Sequence, residues 1–315
     1  MRVRTLCVGL LGGWLSMPAL AVDSAYDWLR RLADAQRSTS YVGDFVYQRN
    51  GAFSTHSIWQ RVEDGATTER VLQLDGPAVE VVRVDGRLVC ATDAPAASAQ
   101  SAKTWRDKRL DPEDLSKWYE LRVIGDSRVA GRDSVALAIL PRDQHRYGFE
   151  LHVDRETGLP LKSLMLDEHG QLLERFQYTR LEPGQVAASE LKASDDCLRV
   201  TEASAEQKEA TGWHSDWLPD GFRLLQSSSR TSDVSGQPVT WLVYGDGLAR
   251  FSVFIEPLGG EVVQDARSQM GPTVAVSKRI TAPGGDVMVT VVGEIPLGTA
   301  ERIALSMRPK QGAQN

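Results

Sequence analysis

Trp28, Leu29, Leu32 and Ala33 recur at helical spacing, while Asp27, Arg30, Arg31 and Asp34 fall on the opposite side. Ser24 followed three residues later by Asp27 supplies a capping box, so this stretch predicts an amphipathic helix with one buried face. The period then changes. Runs at 42–48, 55–62, 68–74 and 79–84 are rich in Val, Phe, Tyr, Ile and Trp and read as strands. Between them stand Asn50-Gly51, Asp64-Gly65, Asp75-Gly76 and Asp85-Gly86, dipeptides that accept the positive φ of tight hairpin turns. Connections this short leave no room for crossover helices, so the strands must be antiparallel neighbours. An Ala/Ser-rich stretch at 91–102 reads as a mobile loop. Asp111-Pro112-Glu113-Asp114 then gives the cap, proline and acid of a short second helix. Strands resume at 120–129, 134–140, 146–153, 161–166 and 172–179, with turns at Gly131, Gly158 and Gly170.

The polar stretch 182–212, rich in Ala, Glu, Ser and Asp, buries little and reads as a linker. Beyond it, runs at 222–227, 239–244, 249–256, 273–280 and 287–292 predict five more strands. A helix at 296–307, entered through Thr299, closes the chain. At 315 residues the chain exceeds what one core usually serves, and it divides into domains at 22–181 and 213–315 around the linker. The fold class is mainly antiparallel β with α.

Residues 1–21 form a secretory signal: Arg2 and Arg4, an apolar run at 6–15 too short to span a bilayer, and the small-residue site Ala19-Leu20-Ala21. The mature chain is expected in the periplasm, beginning at Val22. Loss of Arg2 and Arg4 leaves 34 basic against 42 acidic side chains, a net charge of −8, which argues against nucleic acid as a partner. Cys90 and Cys197 survive cleavage. An even pair in an oxidising compartment is either a disulfide or two free buried thiols.

Chemistry is hard to find. Gly125-Asp126-Ser127 only imitates the first half of a nucleophile elbow, and Gly245-Asp246-Gly247 lacks the third glycine of a dinucleotide loop. The five histidines show no zinc spacing, so no catalytic residue, metal or cofactor is expected. The aromatic content is more informative. Phe45 and Tyr47 share one strand face, as do Phe149 and Leu151 later. An ordinary core explains any one of them, but a curved sheet under only two helices can also enclose an apolar cavity for a lipid. Arg142, His145 and Arg146 crowd one turn, as a solvated loop or as a rim for lipid phosphates. Arg250, Phe251, Val253, Phe254 and Glu256 mix aromatic and charged residues in a way that suits an edge strand adding a partner peptide.

Three stretches carry a resemblance: RDQHRYGFELHVDRETGLPLKS from Arg142, YGDGLARFSVFIEPL from Tyr244, and VVGEIPLGTAERIALSM from Val291. They resemble the RseB/MucB family, its MucB branch in particular. The resemblance implies an N-terminal LolA/LolB-like unclosed β-barrel covered by helices, plus a smaller α+β C-terminal domain. It further implies a non-enzymatic negative regulator that binds the periplasmic domain of an anti-sigma factor of the RseA/MucA type. Such a regulator shields its partner from a DegS-type protease and is released by an envelope lipid such as lipopolysaccharide. A homo-oligomer stays open. The competing reading is a lipid or lipoprotein carrier of the LolA/LolB type, for which the strands and helix after 213 are surplus.

Overall fold

The computed structural model describes residues 24–92, 110–200, 212–231, 236–259 and 263–310. The expected signal peptide at 1–21 and most of the expected loop at 91–102 lie outside them. Helix α1 (Ala25–Ser38) opens on the capping box: Asp27 N–H donates to Ser24 Oγ, and Ser24 N–H donates back to the Asp27 carboxylate. Trp28, Leu29 and Leu32 are buried against the sheet with Tyr119, Leu137 and Leu151. Each such side chain contributes about 1.5–3 kcal/mol by leaving water. Asp111 caps the short α2 (Pro112–Leu115) through Glu113 and Asp114 N–H.

Among the described residues the first sheet has eleven strands: β1 (Tyr41–Arg49), β2 (Ala52–Glu63), β3 (Ala66–Gln73), β4 (Glu80–Val84), β5 (Arg87–Ala91), β6 (Tyr119–Val129), β7 (Arg132–Pro141), β8 (Gly148–Asp154), β9 (Pro160–Leu166), β10 (Leu172–Pro183) and β11 (Leu198–Arg199). Their order is β11-β5-β4-β3-β2-β1-β10-β9-β8-β7-β6, with every pairing antiparallel and the two end strands unjoined. Two meanders therefore meet at the β1/β10 seam. Asn50 and Gly51 take φ of 50° and 76°, as the hairpin between β1 and β2 demands.

The structure departs from the sequence reading in two ways here. Strands β5 and β11 were not expected, because each is short and shows no clean alternation. The expected linker at 182–212 is also not free along its first half. Residues 188–191 form a 3-10 turn, Glu80 accepts from Ser194 N–H and Oγ and from Arg70 Nε, and β11 pairs with β5. Cys90 and Cys197 are bonded, with Cα atoms 5.5 Å apart. This strap belongs to the first domain because it satisfies Glu80, a carboxylate otherwise buried without enough donors.

The second sheet comprises β13 (Arg223–Thr231), β14 (Pro238–Gly245), β15 (Arg250–Pro257), β16 (Ala266–Met270), β17 (Thr273–Ala282) and β18 (Gly285–Gly293), ordered β13-β14-β15-β18-β17-β16. Helix α3 (Leu297–Ser306) lies on β17 and β18, burying Ala300, Ile303 and Ala304 with Phe251, Val253, Val289 and Val291. Strands β12 (Trp213–Ser215) and β19 (Met307–Pro309) pair to bring the two ends of this unit together.

Candidate functional site

The turn between β7 and β8 brings His145 and Arg146 against the second domain. Arg146 donates to Asp143 through Nε and Nη2 (3.1 and 2.9 Å), to Asp246 through Nη1 (2.7 Å) and to the Asp220 carbonyl (2.6 Å). Its guanidinium also lies 5.4 Å from the Tyr119 ring centre and 5.0 Å from that of Phe222. Asp246 accepts further from Tyr119 OH and from the N–H groups of Leu248 and Ala249. Arg146 is 1% exposed and Asp246 0%, so this is a fully desolvated ion pair with its hydrogen-bonding capacity used. Burial works against the Arg146 charge, but the Asp246 and Asp143 carboxylates outweigh it and hold the pKa above the ordinary arginine value. Burial and the Asp246 carboxylate push the Tyr119 hydroxyl far up, so it stays protonated as a donor.

Around this pair the domains make further contacts. His145 Nδ1 meets Thr299 Oγ1 at 3.1 Å, and its ring stands edge-on to Trp217 at 5.1 Å. Tyr147 OH donates to the Ile295 carbonyl. Gly221 has φ of 87°, and a Cβ there would stand 2.4 Å from Trp118, so only glycine lets the chain pass. A second clasp lies at the end of β1. Arg49 pairs with Glu174 of its own domain and reaches Thr273 and Glu294 of the other.

The seven expected lipid residues do not form one site. Phe45 packs with Phe176, Tyr178 and His56 in one cluster, and Tyr47 beside it donates to Glu174. Phe149 and Leu151 lie in a different cluster, with Trp28 and Leu137. Arg142 is exposed and donates to the Ser116 carbonyl, whereas His145 and Arg146 face the second domain. A rim role for Arg146 is thereby corrected, since its partners are Asp143 and Asp246 rather than solvent-borne phosphates. The edge-strand expectation for Arg250, Phe251, Val253, Phe254 and Glu256 is corrected too. Strand β15 has β14 on one side and β18 on the other, so its backbone has no free edge for a peptide. Phe251 and Val253 are core, and Phe254 stacks on Trp241 across the other face.

Ser127, His152 and Glu150 form a hydrogen-bonded chain of 2.6 and 2.7 Å across β6 and β8. Ser134 and Lys162 tie off its ends, and burial keeps the imidazole pKa low, so it reads as a cross-strand network. No group of three His, Cys, Asp or Glu among the described residues is placed to hold a metal.

A family model described as the MucB/RseB N-terminal domain matches residues 24–197, and one described as the MucB/RseB C-terminal domain matches 207–308. The chain belongs to the MucB/RseB family. It is 58% identical over 316 residues to the sigma factor AlgU regulatory protein MucB of Pseudomonas aeruginosa, covering all of both chains. The sigma-E factor regulatory protein RseB of Escherichia coli is 27% identical over 307 residues, 93% of each chain. A crystal structure of MucB in complex with MucA(peri) is 59% identical and superposes with a TM-score of 0.81, covering 91% of this chain and 100% of that one. The N-terminal match in this MucB/RseB chain runs to Cys197, through the strap that the sequence reading assigned to a linker.

Proposed function

We propose that this chain is a non-catalytic periplasmic regulator that binds the periplasmic domain of an anti-sigma factor of the RseA/MucA type. By covering that domain it shields it from a DegS-type protease and keeps an envelope-stress sigma factor inactive, until an envelope lipid such as lipopolysaccharide releases it. The observation that carries the reading is the likeness, across both domains, to MucB in a complex with MucA(peri). The buried Arg146–Asp246 pair supports it as well, because a carrier needs no second domain locked to the first. The test uses full-length protein and the purified periplasmic domain of a MucA-type protein. Calorimetry should give saturable binding, and the bound partner should survive a DegS-type protease longer than the free one. An absence of binding rejects the reading.

A further inference from the structure

The strap that returns from β10 to the edge of the first sheet is held by little besides one covalent bond. Its 3-10 turn buries no side chain, and between Val186 and Val200 only Leu191, Ala193 and Cys197 are even half-buried. No residue from 187 to 200 belongs to either core cluster of the first domain. Among the described residues, the strap meets the sheet through a few hydrogen bonds. Ser194 N–H donates to Glu80 (3.1 Å), Arg70 Nη1 to the Glu190 carbonyl (3.1 Å) and Val200 N–H to the Val89 carbonyl (3.0 Å), and the two residues of β11 pair with β5. Ordering one residue costs at least as much as one such hydrogen bond returns, so these contacts alone do not fix a strap of this length. The Cys90–Cys197 bond fixes it.

The dependence runs both ways. A disulfide resists reduction when the surrounding fold would press the two thiols together without it, because their effective concentration stays high. Here one sulfur sits on a segment that drifts away once the bond is cut, so that resistance is small. The two sulfurs also differ in access. Cys90 is 3% exposed, whereas Cys197 is half-buried and stands between the exposed Asp196 and Leu198.

We propose that Cys197 is the point of attack for a protein dithiol of the Cys-x-x-Cys class, and that reduction of this bond in the folded protein releases residues 187–200 while both domains keep their cores. The attacking thiolate bonds to Cys197 Sγ, the Cys90–Cys197 bond breaks, and Cys90 leaves as a thiolate that takes up a proton. The attacker's second thiol, losing its proton, then displaces Cys197 from the mixed disulfide. The attacker ends oxidised by two electrons, and this chain carries two thiols. Release uncovers Glu80, which is 1% exposed beneath Ser194, and leaves β5 outermost in its sheet. It also changes the meaning of a nick. Lys192 lies between the two cysteines, so a cut after it leaves the pieces covalently joined while the bond stands and severs one domain from the other once the bond is reduced. The bond is thus a redox-controlled latch on the continuity of the chain.

The experiment treats the mature full-length chain, folded and without denaturant, with reduced thioredoxin as the Cys-x-x-Cys dithiol. Amide hydrogen exchange read by mass spectrometry should accelerate by about a hundred-fold or more over 187–200, and by less than about three-fold over β7 and β8. Trypsin should cut after Lys192 about ten-fold faster or more than in the unreduced protein. On a gel run without reductant, the nicked oxidised chain should migrate as one species and the nicked reduced chain as two. Reduction only in denaturant, unchanged exchange over 187–200 after reduction, or β7 and β8 exchanging as fast as the strap each overturn the proposal. The double variant Cys90→Ser with Cys197→Ser should show the same open strap with no reductant present. A strap as protected in that variant as in the oxidised protein overturns it too.

Discussion

At the scale of single residues, the Arg146–Asp246 pair sets the strongest expectation. Replacing Asp246 with Ala leaves a guanidinium buried without its main counter-charge, and breaking such a pair costs about 3–5 kcal/mol. Chemical denaturation should show a loss of that size. Exchanging both residues for apolar ones of similar volume, Arg146→Met with Asp246→Leu, should restore most of it. An Asp246→Ala loss under about 1 kcal/mol contradicts the burial described. Acid acts elsewhere. Burial holds His56 and His152 below the ordinary histidine pKa, so near neutrality the unfolded chain binds more protons than the folded one. Their contribution is whole above the unfolded value of about 6.5 and is lost as pH falls below it. Burial alone would raise Glu80, but hydrogen bonds from Ser194 and Arg70 more than reverse this, and Asp154 is held low in the same way by Arg132 and Thr157. These carboxylates add a further loss as pH falls through their folded pKa values. Urea midpoints should therefore be lower at pH 5.5 than at 7.5, and an equal or higher midpoint at pH 5.5 rejects the argument.

At the scale of elements, helix α1 depends on one glycine beneath it. Gly158 has φ of 77°, and a Cβ there would meet Arg31 Cγ and O at 3.0 Å. Gly158→Ala combines left-handed strain with a clash against the helix, so it should cost about 1–3 kcal/mol, measured by thermal unfolding. The strap is the other element with a clear test. The bond between Cys90 and Cys197 closes a separation of 107 residues, for which chain entropy gives about 4–5 kcal/mol. Unreduced, denatured protein should take up no alkylating reagent at these positions, and Cys197→Ser should lower the melting temperature. Two alkylated cysteines without reductant would falsify the bridge. These elements show what was legible in the sequence. The capping box, the Asn50-Gly51 turn and the long alternating runs are local signals, and the structure contains each of them. Strands β5, β11 and β16 are five residues or fewer and lie at or next to sheet edges, so neither face dictates a pattern.

At the scale of the whole molecule, the two clasps join the domains along one end of the first sheet, and a ligand that favours a different arrangement must oppose the partner. Lipopolysaccharide titrated into the complex should weaken anti-sigma binding by roughly 5- to 150-fold, a coupling of about 1–3 kcal/mol. An affinity unchanged at saturating lipid excludes release by this route. The sequence marked Arg142, His145 and Arg146 as an unusual cluster but gave no hint of its destination. The counter-charge Asp246 lies a hundred positions away on a hairpin turn of the other domain, a separation that no local pattern encodes. The strand order, finally, dictates a timetable. Strand β1 emerges early from the ribosome or a translocation pore, yet its partner β10 ends only at Pro183, and β11 follows later still. A chain threading out amino-terminus first thus holds half a sheet with an open central edge until nearly two-thirds of it has appeared, and Cys90 has no bonding partner until Cys197 has arrived. Once residues 1–21 and their Cys7 are removed, a chain that stops short of residue 197 carries the lone thiol of Cys90 and an unfinished edge, two features that the completed molecule lacks.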